Sequence, residues 1–177
     1  MVLRWGVPLV GLLLGVAVVG SVGIGEAQNG SLKAGPYKDY KQWARMNDTG
    51  VFSSTHGGSF VFTYVNPTGL SAAKNGKFPF PVGTVIVKEA FMNKGCKPGA
   101  PGAVFVMEKR GKGYDSKAND WHWVRYNPDG TLWGEGTSVG RVAFCAGCHQ
   151  TAKVNDYVFG NGTTMKVTPT MPLTPCK

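Results

Sequence analysis

An α+β domain, mainly β, built on an antiparallel sheet with a few short helices, is the fold this sequence predicts, and three observations predict it. Runs dense in β-branched and aromatic residues recur between Gly, Pro and Asn-Pro-Asp-Gly turn signals. Segments with helical spacing are few and short. The tightly spaced cysteine motif, at 145–149, falls in a short helical stretch near the C-terminus and not at the head of a βαβ pattern.

Taken in order, residues 36–47 space Tyr40, Trp43 and Met46 at helical intervals and predict a short amphipathic helix. Residues 48–58 are rich in Gly, Ser and Thr and read as a loop. Residues 59–65 (SFVFTYV) read as a strand that stops at Asn66-Pro67, with Phe60, Phe62 and Tyr64 on one face. That aromatic stripe packs a core or walls a pocket. A second short helix is expected over 70–77, broken by Phe78-Pro79-Phe80-Pro81, and the next strand over 84–91. Further strands over 103–109 and 121–126 form a hairpin, with Asn127-Pro128-Asp129-Gly130 supplying a turn before 131–133. From Val139 the chain runs into the motif as a short helix, and beyond Gly160 it is Pro- and Thr-rich with little periodicity.

Residues 1–27 carry one early positive charge, Arg4, then an apolar run over 7–19, and close on Gly25-Glu26-Ala27, the layout of a secretory signal cleaved before Gln28. An uncleaved membrane anchor is the other reading, since the run is nearly long enough to span. Residues 28–177 then make a single domain, with no internal repeat and no linker to divide it. The formal charge of +9 suits docking to an acidic electron-transfer partner or simple solubility. No basic stripe interleaved with stacking aromatics points to nucleic acid.

Cys145-Ala146-Gly147-Cys148-His149 is a C-x-x-C-H segment. Two cysteines on one helical turn point the same way, and the imidazole that follows is placed to bind iron, so the segment reads as a covalent attachment site for haem c with His149 as axial ligand. A thioredoxin-like redox pair and half a zinc site are the rival readings; the first lacks its βαβ pattern, the second needs two further ligands that Cys96, Cys176, His56 and His122 offer at no recognised spacing, and neither explains His149 as economically. The sixth iron position separates electron transfer from small-molecule chemistry. Met165 and Met171 lie downstream, but only 28 residues follow His149, a short length in which to bring a ligand back. His56, in a Gly-rich loop, and His122, between two tryptophans, read as structural. Along TVIVKEAF, Lys88 shares a face with Ile86 and Ala90, so it must find a partner, escape at an edge, or sit as a neutral nucleophilic amine facing the haem. Cys96 and Cys176 remain, and an oxidising compartment favours their pairing, which on the chain-entropy view contributes roughly 4 kcal/mol.

These pieces together resemble the cytochrome P-460 family. The resemblance rests on Tyr40-x-x-Trp43, the strand end Tyr64-Val65-Asn66-Pro67, Phe80-Pro81-x-Gly83-Thr84-Val85-x-Val87-Lys88-Glu89, Asp120-Trp121 followed by Asn127-Pro128-Asp129-Gly130, and Cys145-x-x-Cys148-His149. It runs from about Tyr37 to Phe159. It implies a periplasmic, mainly β, homodimeric c-haem protein with a proximal His and an open distal side. In catalytic members the lysine matched by Lys88 is cross-linked to the macrocycle. Those enzymes oxidise hydroxylamine, with nitric oxide chemistry, to nitrous oxide or nitrite, passing electrons to a soluble acceptor such as another cytochrome c. The related cytochromes c-prime-beta lack the cross-link and bind nitric oxide or carbon monoxide under phenylalanines, a cap that Phe60 and Phe62 would supply here. Catalytic members also resemble one another in a distal carboxylate. Val142-Ala143-Phe144 precede the motif in this chain, which leaves Glu135 as the nearest upstream acid and the candidate base. The three readings are thus a hydroxylamine-oxidising enzyme, a gas-binding protein and a plain electron carrier with Met165 or Met171 on iron.

Overall fold

The computed structural model describes residues 31–133, 139–140, 142–160 and 176. The expected signal at 1–27, Glu135, Met165 and Met171 lie outside the described residues. Among the described residues no helix is long and apolar enough to cross a membrane.

The strands are β1 (Ala44–Arg45), β2 (Val51–Ser53), β3 (Ser59–Val65), β4 (Val85–Asn93), β5 (Pro98–Lys109), β6 (Trp121–Tyr126) and β7 (Val139–Gly140). They form one antiparallel sheet in the order β1-β3-β4-β5-β6-β7, with β2 also paired to β3. Helices α1 (Pro67–Asn75) and α2 (Ala143–His149) and four short 3-10 turns complete the described chain. The mainly β, α+β class read from the sequence is therefore the observed one.

The Asn66-Pro67 stop signal does more than end β3. Asn66 caps α1, accepting from the Gly69 and Val85 amides and donating to the Gly83 carbonyl, while Pro67 takes the first helical position, where its missing N–H costs nothing. Gly69 is required there: a Cβ at this position would run into the Thr84 side chain. The helix expected over 36–47 does not form. Tyr40–Gln42 makes a single 3-10 turn and the chain then extends into β1, where Ala44 pairs with Val65 and Arg45 with Tyr64. Pairing with β3 and burial of Tyr37 and Tyr40 on the sheet outweigh the local helical spacing. The loop expected over 48–58 likewise contains β2 and the turn Ser54–His56.

Strand register sorts the side chains into two cores. On one face, Val65, Ile86, Met107 and Trp123 stand in one row and Thr63, Lys88, Phe105 and Arg125 in the next. The first row joins Met46, Phe80, Val142, Cys145, Ala146, Tyr157 and Val158 in a core that includes α2. On the other face, Tyr64, Val87, Val106 and Val124 pack with Tyr37, Tyr40 and Tyr126.

Asp156 ties the chain after α2 to the sheet. Its carboxylate accepts from the Phe80 amide and Lys109 Nζ, each at 2.7 Å, from Trp121 Nε1 at 3.3 Å and from Asn119 Nδ2. Lys109 and Asp156 are both almost fully buried. Cys96 and Cys176 form a disulfide with Cα atoms 5.7 Å apart, closing a separation of 80 residues and fastening the C-terminus to the β4–β5 connection.

His122 lies on the face away from Lys88, where Tyr114 Oη meets its Nδ1 at 2.7 Å. Burial, followed by the Arg110 charge, lowers its pKa to about 4. Between pH 6.5 and 4 the unfolded chain takes up a proton that folded His122 refuses, so stability falls as pH falls through that window. Urea unfolding of the wild type and His122→Gln at pH 7 and pH 4.5 is expected to show an acid loss smaller in the variant by about 2 kcal/mol. Asp156→Ala strands the Lys109 ammonium in the interior, and chemical denaturation is expected to show a loss of about 3–5 kcal/mol.

Candidate cofactor-binding site

Helix α2 carries the whole C-x-x-C-H motif. Cys145 and His149 are buried and Cys148 half-buried, and neither cysteine is in a disulfide. Their i, i+3 spacing puts both thiols on one side of the helix. Burial pushes the Cys145 thiol up to about 11. His149 Nδ1 lies 2.6 Å from the Tyr157 carbonyl oxygen. A carbonyl can only accept, so Nδ1 carries the hydrogen and Nε2 is left with its lone pair free to bind a metal. Asp156 and Tyr157 both have left-handed backbone, φ 54° and 64°, which turns the chain back over the imidazole. Trp123 and Phe159 pack edge-on to the ring at centroid distances of 6.4 and 5.0 Å. Burial first, and the Lys88 charge second, lower the His149 pKa to about 4 against the Tyr157 hydrogen bond, which raises it. The neutral, ligating imidazole is therefore the form present near neutral pH.

The facing wall is the sheet. Lys88 stands between Thr63 and Phe105, with Arg125 beyond Phe105. The lysine is 9% exposed and makes no hydrogen bond or ion pair among the described residues. Burial lowers its pKa to about 8, with an opposing contribution from Cys148. The amine and the attachment motif thus feel each other across one space. Thr63 Oγ1, Trp123 Nε1 and Arg125 Nε are buried on this face without hydrogen-bond partners among the described residues. The Arg125 guanidinium lies over Trp133 at 3.9 Å and over Phe105 at 5.5 Å. His56 reaches the same face from the turn before β3, its ring 4.8 Å from that of Phe105, and the charges of Lys88 and Arg125 act on it.

The structure places Lys88 on the sheet face toward α2, where its charge acts on His149 and is acted on by Cys148. It does not bring Phe60 and Phe62 to that face. Thr63, not Phe62, is the partner of Lys88, so strict alternation turns Phe60 and Phe62 to the opposite face, where Phe62 packs on Phe91 and under Arg45. The phenylalanine paired with Lys88 in its row is Phe105. Glu135 lies outside the described residues. Sequence reasoning missed Phe105, Trp123 and Arg125, and it set His56 aside as structural. The alternation of WHWVRY does group Trp121, Trp123 and Arg125, but only the register with β5 says which core they face.

These residues fit a haem. A thiol pair and a free imidazole nitrogen share one helix, the opposing sheet offers apolar Ile86 and Met107, and three buried polar atoms lack partners where a cofactor's polar groups could meet them. Among the described residues no group of three or more His, Cys, Asp or Glu side chains could hold a metal ion without such a cofactor. None of the curated proteins matches the chain. The family model of cytochrome P460 matches residues 37–160, which is 124 of the 177 residues and takes in the Lys88 strand and the C-x-x-C-H helix alike. By that match, laid over a fold and site that fit the cofactor, the chain belongs to the cytochrome P460 family of haem proteins.

Proposed function

We propose that the chain is a periplasmic c-type haem oxidoreductase that oxidises hydroxylamine, with nitric oxide chemistry, to nitrous oxide or nitrite. The observation that carries this reading is Lys88: a buried, unpartnered amine aimed at the same space as the motif, in a member of this family. Nothing in the fold requires a lysine there, since the sites around it are filled by Thr63, Phe105 and Ala90. A pKa near 8 leaves an appreciable neutral fraction, the form that can bond to carbon. Lys88 in this reading is joined to the macrocycle.

The haem, when bound, supplies a Lewis acid and an electron acceptor. The chain supplies the rest. Cys145 and Cys148 tether the macrocycle through thioethers, and His149 ligates through Nε2 with Nδ1 held on the Tyr157 carbonyl. Thr63, Trp123 and Arg125 offer hydrogen-bond donors, and Ile86, Met107 and Phe105 keep water from the pocket wall. Export through residues 1–27, a homodimer and a soluble acceptor such as another cytochrome c belong to the same reading. The gas-binding alternative drew on Phe60 and Phe62 as a cap, and the register supports that alternative less, because both face away from Lys88.

Optical spectra of the ferrous holoprotein test the reading. A strongly red-shifted Soret band is expected from the lysine adduct and is lost in Lys88→Ala, with the haem still attached by mass. An ordinary five-coordinate spectrum in the wild type would point to the gas binder, and a sharp six-coordinate one to the carrier. Hydroxylamine turnover with an artificial electron acceptor is expected for the wild type and is expected to fall by at least about tenfold in Lys88→Ala.

A further inference from the structure

We propose that His56 is the proton acceptor of this pocket, taking onto Nε2 the proton lost by a small protic ligand bound on the Lys88 face and passing one on through Ser53 and Thr55. This deepens the hydroxylamine reading and takes its substrate from it.

The geometry comes from the turn Ser54–His56, which links β2 to β3 and is closed by Gly57 at φ 76°. That turn lays the His56 ring edge-on against Phe105, at 72° between planes. Phe105 is the strand partner of both Lys88 and Arg125, so the imidazole sits over the row that carries the reactive amine. His149 belongs to the neighbouring row through Trp123. Same-face rows stand two residues apart along a strand, roughly 7 Å. The two imidazoles therefore address one pocket from separate rows.

Ser53 Oγ fixes the orientation of His56, 2.7 Å from Nδ1, and Thr55 Oγ1 lies 3.3 Å from Ser53 Oγ. With Nδ1–H donating to Ser53 and Ser53 donating to Thr55, Nε2 is an acceptor with no partner among the described residues. Ser53 and Thr55 are half-buried, so the chain of donors leads outward. The cations acting on the ring are Lys88 on β4 and Arg125 on β6, while the remaining titratable neighbour, His149 on α2, is neutral. After burial, which is the larger cause, they hold its pKa well below the usual range and keep the ring neutral and ready to accept.

In the step, the bond from the ligand's acidic hydrogen to N or O, or to C in hydrogen cyanide, breaks and its electron pair stays on the ligand. A bond forms from that proton to Nε2, the Nδ1 proton moves to Ser53 Oγ, and the Ser53 proton leaves by Thr55 to water. One proton enters the relay, one leaves it, and nothing is oxidised.

Hydrogen cyanide is the probe, because it must surrender its proton to bind ferric iron as cyanide. Stopped-flow association of cyanide with the ferric holoprotein at pH 7 is expected to slow about a hundredfold in His56→Leu, and similarly in His56→Gln, which can hydrogen-bond but is no base. Millimolar imidazole is expected to restore part of the rate to His56→Leu. Wild-type rates in both variants, with haem mass and optical spectrum intact, would overturn the proposal. Unchanged cyanide rates beside normal hydroxylamine turnover sink His56 alone. Slowed cyanide binding beside a wild type that does not oxidise hydroxylamine sinks the reaction and leaves His56 standing.

Discussion

One buried carboxylate sets the geometry on which the site depends. Asp156 gathers the Phe80 amide, Lys109 from the end of β5, Asn119 just before β6 and Trp121 at its start, and it is followed directly by Tyr157, whose carbonyl accepts the hydrogen bond from His149 Nδ1. The orientation of the His149 imidazole is thus referred back to the sheet through a single residue. Buried ion pairs rarely stabilise more than apolar packing of the same volume, so position rather than stability is what this one supplies. The disulfide between Cys96 and Cys176 acts at the far end of β4, where it fastens the terminus without touching the pocket.

The strand alternation then divides the labour between two faces. Lys88 and Glu89 are neighbours in sequence and opposites in environment. Glu89 turns to the tyrosine-rich face, where Lys41 pairs with it at 2.8 Å and Tyr64 donates to it. Lys88 turns to the α2 face and has no such partner. The same alternation turns the Phe60 and Phe62 stripe to the tyrosine-rich face, where Phe62 packs against that core, and leaves Phe105 as the ring beside the amine.

Much of this could be read from the sequence, and what could not has physical causes. The strand over 59–65, the strand holding Lys88 and the strand over 121–126 were legible because β-branched and aromatic runs end there on strong turn residues. The face of Lys88 within its own strand was legible too, since period two is a local property. Which face of the neighbouring strand joins it is a matter of register, set by pairing across the sheet, and this is why Phe60 and Phe62 were expected in the pocket. The span 36–47 shows the complementary failure: its aromatic spacing fits a helix, yet those rings are buried by lying along a sheet. His56 was hidden for a third reason, because a histidine in a Gly-rich loop has no periodicity to reveal what it faces. The match of the family model over residues 37–160 bears out the resemblance, which drew on the same Lys88 segment and haem motif.

A solitary ammonium-bearing side chain in a dry interior is a burden on the folded state. Exchanging Lys88 for methionine would fill the same room without a charge to desolvate and give a sturdier molecule. On the proposed reading, the centre of the sheet gives up that robustness in return for a reactive amine.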